Sequence, residues 1–185
     1  MTAVSAAFNR VVPHVLHIEG AYSNDPDDSG GETNWGITKA VARAFGYQGR
    51  MRDLTQEQAL AIYKQRYWDL LRLDDVAVLS EPIARELFDT SVNCGQDFAG
   101  TCLQRCLNAL NRTQIDYPDA KVDGVVGKLT IYSLRLYLQK RGKLGEQIML
   151  RALNCLQGCK YIGISESNPT QEKYLNGWLG NRVTI

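Results

Sequence analysis

The sequence predicts a mainly α-helical protein with one small β-hairpin after its first helix. Apolar residues recur at three- and four-residue steps along most of the chain, the period of a helix face. That period fails over one long stretch, Tyr22 to Thr38, where acids, a proline and glycines crowd together. Helix-start chemistry then returns twice in strong form, as Thr55-Gln56-Glu57-Gln58 and as Ser80-Glu81-Pro82. At 185 residues the chain fits one domain, or one domain with a closely packed sub-lobe, divided loosely into residues 1–90 and 91–185. That length buries roughly two-thirds of the surface an unfolded chain exposes.

The elements follow in order. Phe8, Val11, Val12, Val15 and Glu19 fall on one 3.6-period stripe, and Gly20 is placed to end the helix. Pro13 interrupts this pattern, so the helix is either kinked there or begins near it. Asp25, Pro26, Asp27, Asp28, Ser29, Gly30 and Gly31 read as a tight loop with short strands flanking it. A short helix over Thr38 to Phe45 closes at Gly46, and a longer one runs from Thr55 to about Trp68, burying Ala59, Ile62, Tyr63 and Tyr67. The helix opened by Ser80 carries Ile83, Leu87 and Phe88 and ends around Asn93 to Gly95. Further helices are expected over Phe98 to Leu110, Thr130 to Leu138, Gly145 to Gly158 and Gln171 to Gly180, with a turn at Asp123-Gly124.

Composition excludes several classes of function. A 44% hydrophobic and 22% charged content is that of a globular protein, and a net charge of +1 gives no reason to expect nucleic acid. The basic run Gln139 to Lys143 reads as a solvated helix end. Arg10, Pro13 and His14 break up the opening segment, which does not read as a secretion signal. No run reaches the ~18 apolar residues of a membrane span. The expectation is a monomer made in the cytoplasm, without membrane insertion, that reaches any outside target through a separate release step. The five cysteines include two i,i+4 pairs, Cys102/Cys106 and Cys155/Cys159, each sharing a helix face, with Cys94 beside them. Free thiols in a helical core are the preferred reading; an interhelical disulfide and a zinc site are the alternatives, the latter without any CxxC to support it.

The chemistry concentrates on Glu19 and the loop after it. Three- and four-residue steps from Val12 through Val15 put the Glu19 carboxyl on the apolar side of its helix, at the C-terminal end. Burial and the helix dipole both disfavour the charged form there, as a general acid requires. The alternative is a glutamate paired with an arginine such as Arg10 or Arg43. Cleavage of a glycosidic bond commonly uses a protonated carboxyl and a second, ionised one. Asp25, Asp27 and Asp28 follow on a segment able to fold back across Glu19, although each is also an ordinary turn former. Thr33, Asn34 and Thr38 are candidates for holding a water or a sugar hydroxyl, and Tyr22 and Trp35 offer flat faces to a sugar ring. The acids lack the alternating spacing of a calcium loop, so no metal and no cofactor is called for.

The stretch EGAYSNDPDDSGGETNWGIT resembles glycoside hydrolase family 108, the lysozyme-like endolysins of bacteriophages and prophages. The matching positions are Glu19-Gly20-Ala21-Tyr22, Asn24-Asp25-Pro26, Gly30-Gly31 and Thr33-Asn34-Trp35-Gly36-Ile37-Thr38. The resemblance implies a lysozyme-like fold, bacterial peptidoglycan as substrate, N-acetylmuramidase activity and Glu19 as the catalytic acid. Ala21 departs from the family, which has a second glycine there. Eight residues separate Glu19 from Asp28, similar to the acid-to-aspartate spacing of phage-type lysozymes, whose following threonine position is here Asn34. Asp28 is therefore the candidate partner, with Asp25 in reserve. The second half is similar to the predicted peptidoglycan-binding segment of the same family, through Phe88-Asp89, Val92-Asn93-x-Gly95, Leu103-Gln104 and Asp123-Gly124-x-x-Gly127. The expected architecture sets a glycan groove between the N-terminal helix with its hairpin and the C-terminal helical lobe. The rivals are a cell-wall binding protein without catalysis, and a lytic transglycosylase or glucosaminidase on a similar fold.

Overall fold

The computed structural model describes residues 6–19, 22–24 and 31–183. Its chain packs as two compact units, Met1–Arg66 and Tyr67–Ile185. The described residues are mainly helical with one two-stranded antiparallel sheet after the first helix, the class the sequence predicts.

In the first unit, α1 spans Ala6–Glu19 and buries Phe8, Val11 and Val12. The helix starts one and a half turns or more before Pro13 and continues past it, so the proline does not mark its beginning. The side chains of residues 13–19, and Gly20 as helix-ending residue, lie outside the described part. Strands β1 (Thr33–Asn34) and β2 (Ile37–Thr38) pair Thr33 with Thr38 and Asn34 with Ile37. The hairpin therefore turns at Trp35-Gly36, at the end of the irregular stretch, instead of flanking the acidic segment. Among the described residues, Ser23 and Thr33 form an isolated antiparallel bridge, exchanging N–H···O bonds of 2.8 and 2.9 Å.

Helix α2 (Lys39–Phe45) begins on Thr38, whose hydroxyl oxygen accepts from the Val41 N–H, and ends on Gly46 at φ 102°. Helix α3 (Gln56–Tyr63) carries the predicted capping box: Gln58 N–H donates to the Thr55 hydroxyl at 3.2 Å, and Thr55 N–H to the Gln58 amide oxygen at 3.0 Å. Ala59, Ile62 and Tyr63 are buried as expected. A π-helical turn, Lys64–Trp68, then adds a residue to the winding, so Trp68 takes the fully buried seat and Tyr67 is half-buried. The boundary between the two units falls inside this turn.

The second unit opens with α4 (Leu73–Leu79), a helix beyond those the sequence predicts. It starts from Arg72 at φ 51°, a position where the start signals of serine or threonine are absent. Asp74 in its first turn accepts the Trp68 indole N–H at 2.7 Å. Helix α5 (Glu81–Cys94) is capped by Ser80 with Pro82 in the first turn, and Gly95 at φ 92° joins it to α6 (Gln96–Leu110). Helix α7 (Lys128–Ser167) is broken only at Gly142 (φ 58°, ψ −144°), and α8 (Glu172–Arg182) completes the unit. The two separate helices expected over 130–158 are thus one long element with a joint. Gly158 does not end it and is buried inside α7, where a β-carbon would meet Leu179 and Val183 at ordinary contact distances of 3.7 and 3.8 Å.

The motifs of the second half turn out to fasten this unit internally. Gln104, 1% exposed, donates to the Asp123 carboxylate and the Val125 carbonyl, while its own oxygen accepts from the Asp123 and Gly124 N–H groups at 3.0 and 2.9 Å. Gly100 on α6 meets the same turn: a β-carbon there would lie 2.0 Å from the Gly124 carbonyl oxygen. Gly124 itself adopts φ 77°. Asp89 accepts from Gln157 of α7 at 2.9 Å and from Arg182 of α8 at 2.7 Å, tying three helices together. Because backbone blocks the Gly100 site, Gly100→Ala is expected to lower unfolding free energy by about 2 kcal/mol in urea titration.

Cys102 and Cys106 are buried on α6, as expected for core thiols, and burial pushes them up to about 12 and about 11. Cys155 and Cys159 differ from the core reading, since both are exposed on the outer face of α7. All five thiols are free. Among the described residues no group of histidine, cysteine or carboxylate side chains could hold a metal ion, and no helix is long and apolar enough to cross a membrane.

Candidate active site

The described part of the site is built on the bridge, the hairpin and the start of α2. Helix α1 delivers its last backbone residue, Glu19, just before the irregular segment. Asp25, Asp27 and Asp28, together with Gly20, Ala21 and Gly30, lie outside the described residues, as does the Glu19 side chain.

Trp35 holds the hairpin turn at φ 54°, with Gly36 at φ 70°. Two consecutive positive φ angles are what the tightest hairpins need, and a bulky aromatic rarely adopts one. Three bonds over-determine the geometry. The Trp35 indole N–H donates to the Leu54 carbonyl at 2.9 Å, the Tyr63 hydroxyl donates to the Trp35 carbonyl at 2.9 Å, and the buried Asn34 amide donates to the Met51 carbonyl at 2.8 Å. Asn34 also reaches the Leu54 carbonyl at 3.4 Å. Strain stored on a turn and fixed from three sides is a mark of functional positioning.

The candidate ligand-facing residues divide accordingly. Asn34 is turned inward, its amide spent on backbone carbonyls, and the Thr38 hydroxyl accepts the cap bond of α2. Thr33 donates its hydroxyl to the Gly31 carbonyl at 3.0 Å. Tyr22 is half-buried, its ring covered by the Arg52 guanidinium at 4.9 Å and its hydroxyl donated to Glu32 at 3.1 Å. Removing the Asn34 amide takes one of two donors from the Met51 carbonyl, which still accepts from the Leu54 N–H at 3.1 Å. Asn34→Ala is therefore expected to reduce stability by about 1 kcal/mol, read as a lower denaturant midpoint at unchanged slope.

Glu32 was not singled out in the sequence, where it sits inside a run of turn residues. In the structure it is the acid that organises the mouth of the segment. The Lys39 ammonium donates to one of its oxygens at 3.0 Å, Tyr22 donates to the other, and the Lys39 N–H donates to its carbonyl at 2.8 Å. The hydrogen bond from Lys39, helped by that from Tyr22, holds its carboxyl below the usual range, so it is ionised at neutral pH. The seven-residue separation from Lys39, across a hairpin, is the signal that a strand reading of Thr33 to Thr38 would have supplied.

Arg43, one possible partner for Glu19, instead donates to the backbone carbonyls of Tyr47 and Gly49. Its guanidinium closes the loop after α2, and Tyr47 donates its hydroxyl to the Arg50 carbonyl at 2.9 Å across the same loop. A β-carbon at Gly49 would lie 2.4 Å from the Tyr47 hydroxyl, so a side chain there displaces the end of the tyrosine. Arg43, Gly49 and Arg50 wall a polar hollow of about 370 Å³ next to Tyr22 and Glu32.

Comparison with known proteins assigns both parts of the chain. Residues 12–95 match the family model described as Glycosyl hydrolase 108, and residues 99–183 match the one described as Predicted Peptidoglycan domain. The solved structure of SagA from Brucella abortus is similar over 96% of this chain and 90% of its own, with a TM-score of 0.72 and 25% sequence identity. No curated protein matches. The join between the two family matches, near 95–99, falls at Gly95 between α5 and α6, whereas packing divides the chain at Arg66. Helices α4 and α5 therefore belong by sequence to the first family match and pack with the second. A glycosyl hydrolase segment followed directly by a peptidoglycan domain makes the chain a peptidoglycan hydrolase: over residues 12–95 it belongs to the glycosyl hydrolase 108 family, and over residues 99–183 it carries that predicted peptidoglycan domain.

Proposed function

We propose that the protein is an endolysin-like N-acetylmuramidase that hydrolyses the β-1,4 bond between N-acetylmuramic acid and N-acetylglucosamine. Glu19 acts as general acid and protonates the leaving oxygen. Asp28, with Asp25 in reserve, is the ionised carboxylate that stabilises the oxocarbenium-like sugar or directs the water. Tyr22 and Trp35 contact the glycan, and the second half holds the wall polymer. The observation that supports this best is the family match over residues 12–95, taken with Glu19 as the terminal residue of α1. The overbuilt turn at Trp35 adds to it, since rigid support is what a positioned acid needs.

Product chemistry separates this reading from its rivals. Purified peptidoglycan is digested, the soluble fragments are reduced with borohydride, and their ends are read by mass spectrometry. Reduced N-acetylmuramic acid ends are expected. Anhydro-muramic ends would identify a lytic transglycosylase, and reduced N-acetylglucosamine ends a glucosaminidase. Sedimentation with the walls without soluble fragments would identify a binding protein.

A further inference from the structure

The hollow beside Tyr22 has a charge pattern that a neutral sugar does not call for. Among the described residues, Lys39, Arg43, Arg50 and Arg52 line it, against a single carboxylate, Glu32. Lys39 is paired with Glu32, and Arg50 with Asp53 at 2.7 Å. Among the described residues, neither Arg43 nor Arg52 forms an ion pair with a carboxylate, although Arg43 lies near enough to Glu32 to help keep it ionised. Both are nevertheless held in place. The Arg43 guanidinium is pinned by the Tyr47 and Gly49 carbonyls, which leaves three of its five N–H donors for other acceptors. The Arg52 guanidinium is stacked on the Tyr22 ring.

From this geometry we infer that the hollow is a binding site for the carboxylates of the peptide stems that branch from the glycan of peptidoglycan. Two guanidinium groups fixed before a ligand arrives lose little conformational freedom on binding, and their planar donor forks match a carboxylate. Stem peptides put several carboxylates beside each muramic acid residue, at the side of the chain that a glycan-stacking Tyr22 would leave open. Glu32 supplies the complement: its oxygens keep Tyr22 and Lys39 in place and would meet an ammonium group of the stem. The site thus selects glycan that carries free-acid stems over glycan whose stems are amidated or removed. This inference rests on peptidoglycan being the substrate, but not on which bond is cut.

Binding is measured by calorimetry on the full chain with the free stem tripeptide L-Ala-γ-D-Glu-diaminopimelate, with its carboxamide form, and with inorganic phosphate. The tripeptide is expected to bind, to weaken about tenfold on amidation, and to weaken about tenfold in Arg52→Gln with partial recovery in Arg52→Lys, as befits one lost charge-assisted contact. Arg52 is exposed and touches only the Tyr22 ring among the described residues, so the exchange leaves the fold intact. Equal binding of the carboxamide, equal binding by Arg52→Gln, or competition by phosphate at equal concentration would overturn the inference. The readout involves no hydrolysis, so a muramidase reading that fails on product analysis leaves the result legible, and the converse holds.

Discussion

Glu19→Gln is expected to fold like the parent and to release roughly 10²–10⁴-fold less soluble muropeptide per unit time. The amide keeps the volume of the acid and most of its hydrogen bonding, so the substitution removes the proton and little else. A muramidase needs that proton because the departing sugar oxygen is a poor leaving group until it is protonated. Turbidity loss of purified walls gives the rate, and circular dichroism with a thermal melt shows that both proteins are folded. Sedimentation with walls is expected to survive the change, since Glu19 is assigned to bond breaking and the second half to holding the polymer. Parent-level clearing by a folded Glu19→Gln would remove Glu19 from the mechanism. Asp28→Asn in parallel separates the second assignment: a comparable loss supports Asp28, and an undiminished rate hands the role to Asp25.

The sequence carried different parts of this protein with different clarity, for physical reasons that individual residues show. Caps are local, so Thr55 with Gln58 and Ser80 with Pro82 located α3 and α5 from a few residues each. The hairpin was placed too early because its turn uses Trp35 at positive φ, which no propensity favours and which only distant groups, Leu54 and Tyr63, make tenable. Helix α4 was missed because it starts on Arg72 in a left-handed conformation, without a side-chain cap. A π turn moved the buried aromatic from Tyr67 to Trp68, a one-residue shift that periodicity cannot register. At the site, chain order exposed Glu19 and the family pattern around it, whereas Glu32 became visible only once β1 and β2 brought it to Lys39. Asn34 and Gln104 teach the same lesson. Each belongs to a motif that suggested ligand contact, and each spends its amide on the protein's own backbone.

Stability of the second unit should fall as pH rises from about 4.5 to about 7, and Glu86→Gln should abolish that fall. Glu86 is 9% exposed on α5, and burial, reinforced by the nearby Asp89 carboxylate, pushes its carboxyl up to about 7 from 4.5. Hydrogen bonds from Asn154 of α7 and from Thr90 oppose the rise without cancelling it. The other titratable groups around it give no relief: the Cys102 thiol of α6 and the Tyr161 hydroxyl of α7 are neutral, both raised chiefly by burial, and the Arg182 cation of α8 is committed to Asp89. Below pH 4.5 Glu86 is protonated in both folded and unfolded chains, so it contributes no pH dependence. Between 4.5 and 7 the unfolded chain gives up this proton while the folded one keeps it, which favours unfolding; above 7 the loss is complete. A displacement from 4.5 to about 7 corresponds to about 3 kcal/mol, an upper bound for a site that can relax. Glutamine keeps the acceptor for Thr90 and Asn154 and offers its amide hydrogens toward Asp89, so the variant should match the parent at pH 4.5 and exceed it by up to about 3 kcal/mol at pH 8. Urea titrations of both proteins at the two pH values, compared as differences, cancel every group the substitution leaves alone. A difference that does not change with pH would mean that Glu86 is not the acid that burial holds protonated.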